Sequence, residues 1–246
     1  VARYQIILAY DGTDLSGSQR QAHSRTVQSE LENALRRLGW QGRSVLMAGR
    51  TDTGVHASGQ AAAFDLEWNH PLEELVRALN SNLSADVAVS AAKIVPDDFH
   101  PRFDASSRRY RYCLFCQPVR NPLRERYAWR LWPPLEAESL YAAAKHLIGK
   151  HDFAAFGTPP RPGSSTARTV MKAEWRQQGD EWIFEVQANA FLYRMVRRMV
   201  YLQVAVGQGK IPATAIADML EGSARVVPAG LAPAHGLTLV EVTYHE

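Results

Sequence analysis

Element signals alternate in a fixed order along the first hundred residues, and that order leaves few folds open. Residues 3–10 are rich in β-formers and stop at the turn pair Asp11-Gly12. Thr26 reads as a helix N-cap, after which Val27, Leu31, Ala34, Leu35 and Leu38 recur at helical spacing until Gly39. Residues 44–48 form a short apolar strand, and residues 60–66 form another. Pro71 suits the first position of a second helix, with Leu72, Leu75, Val76 and Leu79 on one face. Residues 87–95 make a further strand, closed by Pro96-Asp97-Asp98. Strand, helix, strand, strand, helix, strand is the ferredoxin-like split pattern.

A comparable series follows. Residues 108–115 read as a basic strand, and residues 138–148 as a helix stopped by Gly149. The Pro- and Gly-rich stretch 157–168 reads as a mobile loop. Residues 169–176 and 181–187 pair across Gln178-Gly179-Asp180 as a hairpin. A long helix is expected over 190–206, a shorter one from Pro212, and a last strand over 237–244. The pattern predicts an α+β chain of two ferredoxin-like halves, 1–104 and 105–246, in one large, mostly antiparallel sheet with helices on one face. No residue-level repeat links the halves.

The charge distribution narrows the function classes. Net charge is only +3, yet residues 102–130 hold eight arginines (Arg102, Arg108, Arg109, Arg111, Arg120, Arg124, Arg126 and Arg130) against Asp104 and Glu125. A local basic field of this kind is the footprint of a nucleic-acid binder, although a solvated face on an arginine-rich chain gives the same count. Cys113 and Cys116, the two cysteines, are too few for a disulfide framework and point to a reducing compartment. Their spacing on an alternating strand puts them on opposite faces, so neither a metal nor a redox pair is read from them. The chain opens on a strand, so no signal peptide is expected. Its longest apolar run, near residues 191–206, is broken by Arg194, Arg197 and Arg198, so no membrane span is expected.

Chemistry concentrates between the strands at 44–48 and 60–66. Gly49, Gly54 and Gly59 bracket Arg50, Asp52 and His56. Glycine at this density lets a ligand approach the main chain, and charged residues on rigidly held loops are often catalytic. An Asp in such a turn also serves simply to bond its own backbone. His56 lacks a second ligand at metal spacing and reads as structural.

Gly49-Arg50-Thr51-Asp52-Thr53-Gly54-Val55-His56-Ala57 resembles the signature of the tRNA pseudouridine synthase A (TruA) family. So do Asp97-Asp98-Phe99-His100, Arg109-Tyr110-Arg111-Tyr112, the run from Asn189-Ala190-Phe191 to Met195-Val196-Arg197, and Ala232-Pro233-Ala234-His235-Gly236-Leu237, in the family's order. The resemblance implies an isomerase turning uridine into pseudouridine at positions 38, 39 and 40 of the tRNA anticodon stem-loop, with a basic active-site cleft between the halves. It implies Asp52 as nucleophile, Arg197 as its guanidinium partner, and Tyr110 as the ring stacked on the target base. Arg50 would fill the space of the flipped nucleotide, and Leu237 would pack on the uracil. It further implies tRNA as partner, a cytoplasmic homodimer, no metal and no cofactor; the isomerisation is redox-neutral, and no dinucleotide or P-loop fingerprint occurs. Where the family carries Tyr-Asp-Gly and then Gly-Trp-Gln, this chain keeps Tyr10, Asp11, Gly12, Gly17 and Gln19. Ser18 replaces the tryptophan and Leu15 an aromatic. Two other readings stand beside this one: an RNA-binding module with a degenerate site, and a metal-dependent hydrolase using Asp52 and Asp11.

Overall fold

The computed structural model describes residues 1–224 and 227–245. The chain divides into two compact units, Val1–Ser106 with Thr238–Glu246, and Ser107–Leu237.

In the first unit the order is β1 (Ala2–Tyr10), α1 (Val27–Arg37), β2 (Leu46–Met47), β3 (His56–Leu66), α2 (Leu72–Asn80) and β4 (Val87–Val95). β1 lies antiparallel between β3 and β4, Ile6 facing Ala62 on one side and Ala92 on the other. Thr26 caps α1 as the sequence predicts: its hydroxyl accepts from Ser29 N–H, and Ser29 returns the bond to the Thr26 backbone. Pro71 sits one position earlier than expected, as the N-cap of α2. The inward stripes of α1 (Leu31, Leu35) and α2 (Leu75, Leu79) are fully buried, as are Ile6 and Leu8 of β1. Ala61, Ala62 and Ala63 are buried on both sides of β3, so this strand lacks the apolar–polar alternation of a one-sided sheet.

The second unit holds β5 (Ala105–Cys116), β6 (Trp129–Leu131), α3 (Ala137–His146), β7 (Gly149–Asp152), β8 (Ala167–Gln178), β9 (Glu181–Ala188), α4 (Met195–Gly207) and α5 (Thr214–Leu220). Its strands run in the order β5-β9-β8-β7, all antiparallel, with β6 parallel on β5. Tyr112, Trp182, Phe184, Leu140, Met199 and Val200 are among its most buried side chains. The Trp175 indole donates to Gln203 Oε1 at 2.8 Å, satisfying a polar pair inside this core. The final strand, β10 (Leu237–Tyr244), returns to the first unit and runs parallel to β3, Thr238 opposite His56. Gly59 permits that approach, because a Cβ there would strike the Val240 carbonyl.

Several element boundaries differ from the sequence reading; β8, for one, begins at Ala167, inside the stretch expected to be a loop. The helix expected over 190–206 begins only at Met195, because Arg194 takes a left-handed φ of 63° and breaks the helical run before it. β3 starts at His56 rather than residue 60, and β2 shrinks to two residues. The α+β class holds in both units.

Candidate active site

Asp52 lies on the tight connection from β2 to β3, half-buried, between an exposed Arg50 and an exposed Thr53. Val55 N–H donates to the Asp52 carbonyl at 3.1 Å, closing a turn on its C-terminal side. Gly54 N–H donates to the Leu15 carbonyl at 3.4 Å. On the N-terminal side Thr51 is gripped three ways. Its N–H donates to Ser18 Oγ at 2.8 Å, its carbonyl accepts from Ser18 N–H at 3.1 Å, and its hydroxyl lies 2.9 Å from the Tyr10 hydroxyl. Gly17, at φ 86°, makes room for this contact: a Cβ there would stand 2.7 Å from the Thr51 carbonyl oxygen. Gln60 of β3 donates to the Gly49 carbonyl at 3.0 Å and to the Tyr10 hydroxyl at 3.4 Å. Burial pushes the Tyr10 phenol up to about 12, against the opposing pull of its Thr51 and Gln60 hydrogen bonds, so the ring stays neutral and able to donate. Leu15 and Ser18, where family aromatics are absent, are thus the residues that hold the Asp52 loop from below.

His56 is buried at the start of β3. Its Nδ1 accepts from Gly12 N–H at 3.0 Å and lies 3.2 Å from Asp11 Oδ1. Asp11 also accepts from the N–H (3.0 Å) and hydroxyl (2.6 Å) of Thr13. The Gly12–His56 bond locks the end of β1 to the start of β3. Among the described residues no group of three or more His, Cys, Asp or Glu side chains converges to hold a metal ion.

The second unit brings together Tyr110, Tyr112, Arg197 and the segment leading to Leu237. Tyr110 of β5 is buried and meets Phe191 edge-on, centroids 5.1 Å apart. Arg197, in the third position of α4 and partly buried, donates from Nε to the Ala232 carbonyl at 2.8 Å, while Ala232 N–H donates to the Arg197 carbonyl at 3.2 Å. The Tyr112 hydroxyl donates to the Pro233 carbonyl at 2.8 Å, and its ring lies where a side chain on Gly236 would point. Burial drives the Tyr112 phenol well above its ordinary value, and the Arg197 charge works the other way. Arg197 and Tyr112 therefore fix residues 232–236, and with them the buried Leu237. Sequence reasoning singled out Arg197 and Leu237 and missed Tyr112 as the residue that anchors the segment.

Arg109 and Arg111, by strand alternation, turn away from Tyr110 to a different partner. Glu185 of β9, only 3% exposed, accepts from Arg111 Nη2 at 2.7 Å and Nε at 3.0 Å. Arg176 Nη2 lies 2.7 Å, Lys172 Nζ 3.5 Å and Arg109 Nη1 3.5 Å from the same carboxylate. Burial pushes Glu185 up, but the Arg111 hydrogen bonds and the surrounding positive charges outweigh it and hold the carboxyl below its ordinary range. Arg108 occupies the Tyr110 side of β5 and donates to the Asn189 carbonyl at 2.9 Å.

Within the first unit a half-buried carboxylate sits on a doubly anchored turn; within the second lie a buried ring at a strand centre and an arginine in the first turn of a mostly buried helix. The family described as tRNA pseudouridine synthase matches residues 6–104 and 143–245, and the chain belongs to it. It is 41% identical over 250 residues to tRNA pseudouridine synthase A of Limosilactobacillus fermentum, covering 98% of this chain and 96% of that one. It is 40% identical over 246 residues to tRNA pseudouridine synthase A of Paraburkholderia phymatum, covering 100% and 92%. Among solved structures it aligns with an H/ACA RNP bound to a substrate RNA containing 2′-deoxyuridine at 12% identity and a TM-score of 0.37, over 82% of this chain and 44% of that one.

Proposed function

We propose that this protein isomerises uridine to pseudouridine in the anticodon stem-loop of tRNA, at positions 38, 39 and 40, with Asp52 as the nucleophile. The observation that carries the reading is the anchoring of Asp52: both flanking segments are tied down, and its carboxylate sits on an accessible turn. A nucleophile that must meet one carbon of an extruded nucleotide gains most from such preorganisation. In this reading Arg197 is the guanidinium partner of Asp52, and Tyr110 stacks on the target base. Arg50, exposed beside Asp52, fills the gap left by the flipped nucleotide, and Leu237 packs on the detached uracil. The enzyme acts as a homodimer in the cytoplasm and uses no metal or organic cofactor. The glycosidic bond to N1 breaks, the uracil turns, and a carbon–carbon bond forms at C5 with release of the C5 proton; no net redox change occurs.

The test is to map pseudouridine in total tRNA from cells with and without the gene. Loss confined to positions 38–40, restored by the wild-type gene, is the expected result. An unchanged map would overturn the assignment.

A further inference from the structure

We infer that Ser18 is a positioning residue for the Asp52 carboxylate, acting through the peptide that joins Arg50 to Thr51; this rests on the reading of Asp52 as the nucleophile. The Ser18 side chain is 1% exposed, and its Oγ accepts the Thr51 N–H at 2.8 Å. That clamped peptide joins Arg50 to Thr51, with Asp52 one position further along, so its orientation sets where both charged side chains leave the loop.

The clamp is itself fixed from outside the loop. Ser18 carbonyl accepts from Gln28 N–H at 3.0 Å, Gly17 carbonyl from Val27 N–H at 3.2 Å, and Ser16 N–H donates to the Arg25 carbonyl at 2.8 Å. Residues 16–18 thus hang on the first turn of α1, which is capped by its own Thr26–Ser29 box. The chain of support runs from α1 through Ser18 to Thr51 and so to Asp52. The backbone half of the Ser18–Thr51 contact, Ser18 N–H to the Thr51 carbonyl at 3.1 Å, survives any side-chain change. Removing Oγ therefore removes one bond and leaves the segment otherwise attached. Thr51, 7% exposed, then keeps its N–H without that acceptor. A buried donor so abandoned turns toward another partner, and the Arg50–Thr51 peptide rotates with it. The Thr51 hydroxyl, held by Tyr10, resists that rotation only at the side chain.

This predicts a split that a purely structural serine does not give. The experiment measures tritium release from 5-tritiated uridine in tRNA, tRNA affinity and thermal melting for the full chain carrying Ser18→Ala and, separately, Ser18→Cys. Cysteine keeps the shape and fills the space but is a poor acceptor. Both variants should lower kcat by about 10- to 100-fold, the scale of a small misplacement of a reacting group, with KM and tRNA Kd within about twofold of wild type. Tyr10→Phe, which removes the hydroxyl beside Thr51 and keeps the ring, should move kcat in the same direction. Turnover within about threefold of wild type in the Ser18 variants would overturn the inference, as would a rise in KM that matches the loss in kcat/KM with kcat unchanged. Failure of both variants to fold would also overturn it, by making Ser18 a folding residue. A wild-type protein that releases no tritium, or Asp52→Asn that still does, would instead strike the nucleophile reading and is separately visible.

Discussion

Glu185→Gln tests the charged face of the second unit, and the structure sets the size of the effect. The carboxylate is buried beneath Arg111, Arg176, Lys172 and Arg109, whose side chains are between 27% and 52% exposed. Removing one member of a fully buried ion pair costs about 3–5 kcal/mol, but partners this exposed are partly screened by water. Glutamine also keeps one acceptor for Arg111. The net loss should be about 2 kcal/mol, which for a chain of this length lowers Tm by about 4–8 °C in the transition of the unit that carries β9. The pH dependence follows from the direction of the shift. Glu185 is held below its ordinary range in the folded chain, so its stabilisation is fully present above the unfolded carboxylate value and disappears as pH falls through the lower folded value. The difference in Tm between wild type and Glu185→Gln should therefore be full at pH 7 and close toward the acid end. Thermal melts from pH 3 to pH 8 measure it. A difference that stays constant across that range, or no difference at pH 7, would show that the charge on Glu185 does not stabilise this unit.

Two further outcomes concern RNA and the Leu237 segment. Arg108→Ala should weaken tRNA binding and reduce the slope of log affinity against log salt by about 0.7–0.9, one phosphate contact, whereas Arg109→Ala should leave the slope near wild type because that guanidinium serves Glu185. Filter binding at several salt concentrations decides between them, and equal slopes for both variants would remove Arg108 as a phosphate contact. Arg197→Lys keeps the positive charge but loses the planar fork and the Nε donor that holds the Ala232 carbonyl, so turnover should fall about tenfold or more while the fold survives. Wild-type steady-state rates in this variant would show that the guanidinium is dispensable.

Much of this was legible because the signals are local. The Thr26 cap, the leucine stripes of α1 and α2, and the alternation of residues 87–95 and 237–244 each state their element in a few residues. The misses share a physical cause, which is that tertiary contacts decided them. β7 is Gly-Lys-His-Asp and β6 is three residues long, too short and too polar to announce a strand. Arg194 is an ordinary helix former by composition, and only the backbone turn before α4 forces it into the left-handed region. β3 begins inside a polar, glycine-containing stretch because β10 pairs there, a partner nearly two hundred residues away. Ser18 was visible only as a departure from a family pattern; its hydroxyl gains meaning from Thr51, thirty-three residues along the chain.

The proposed role of Asp52 as nucleophile is tested by Asp52→Asn. Asparagine is nearly isosteric and leaves the bonds from Thr51, Gly54 and Val55 in place, because these use backbone atoms or other side chains. The measurement is tritium release from 5-tritiated uridine in tRNA, alongside a binding titration and a melt. Tritium release should fall to background, with tRNA affinity and Tm close to wild type, since an amide has no anionic oxygen to form the covalent bond. Activity within about tenfold of wild type, or ~1.4 kcal/mol of barrier, would contradict it.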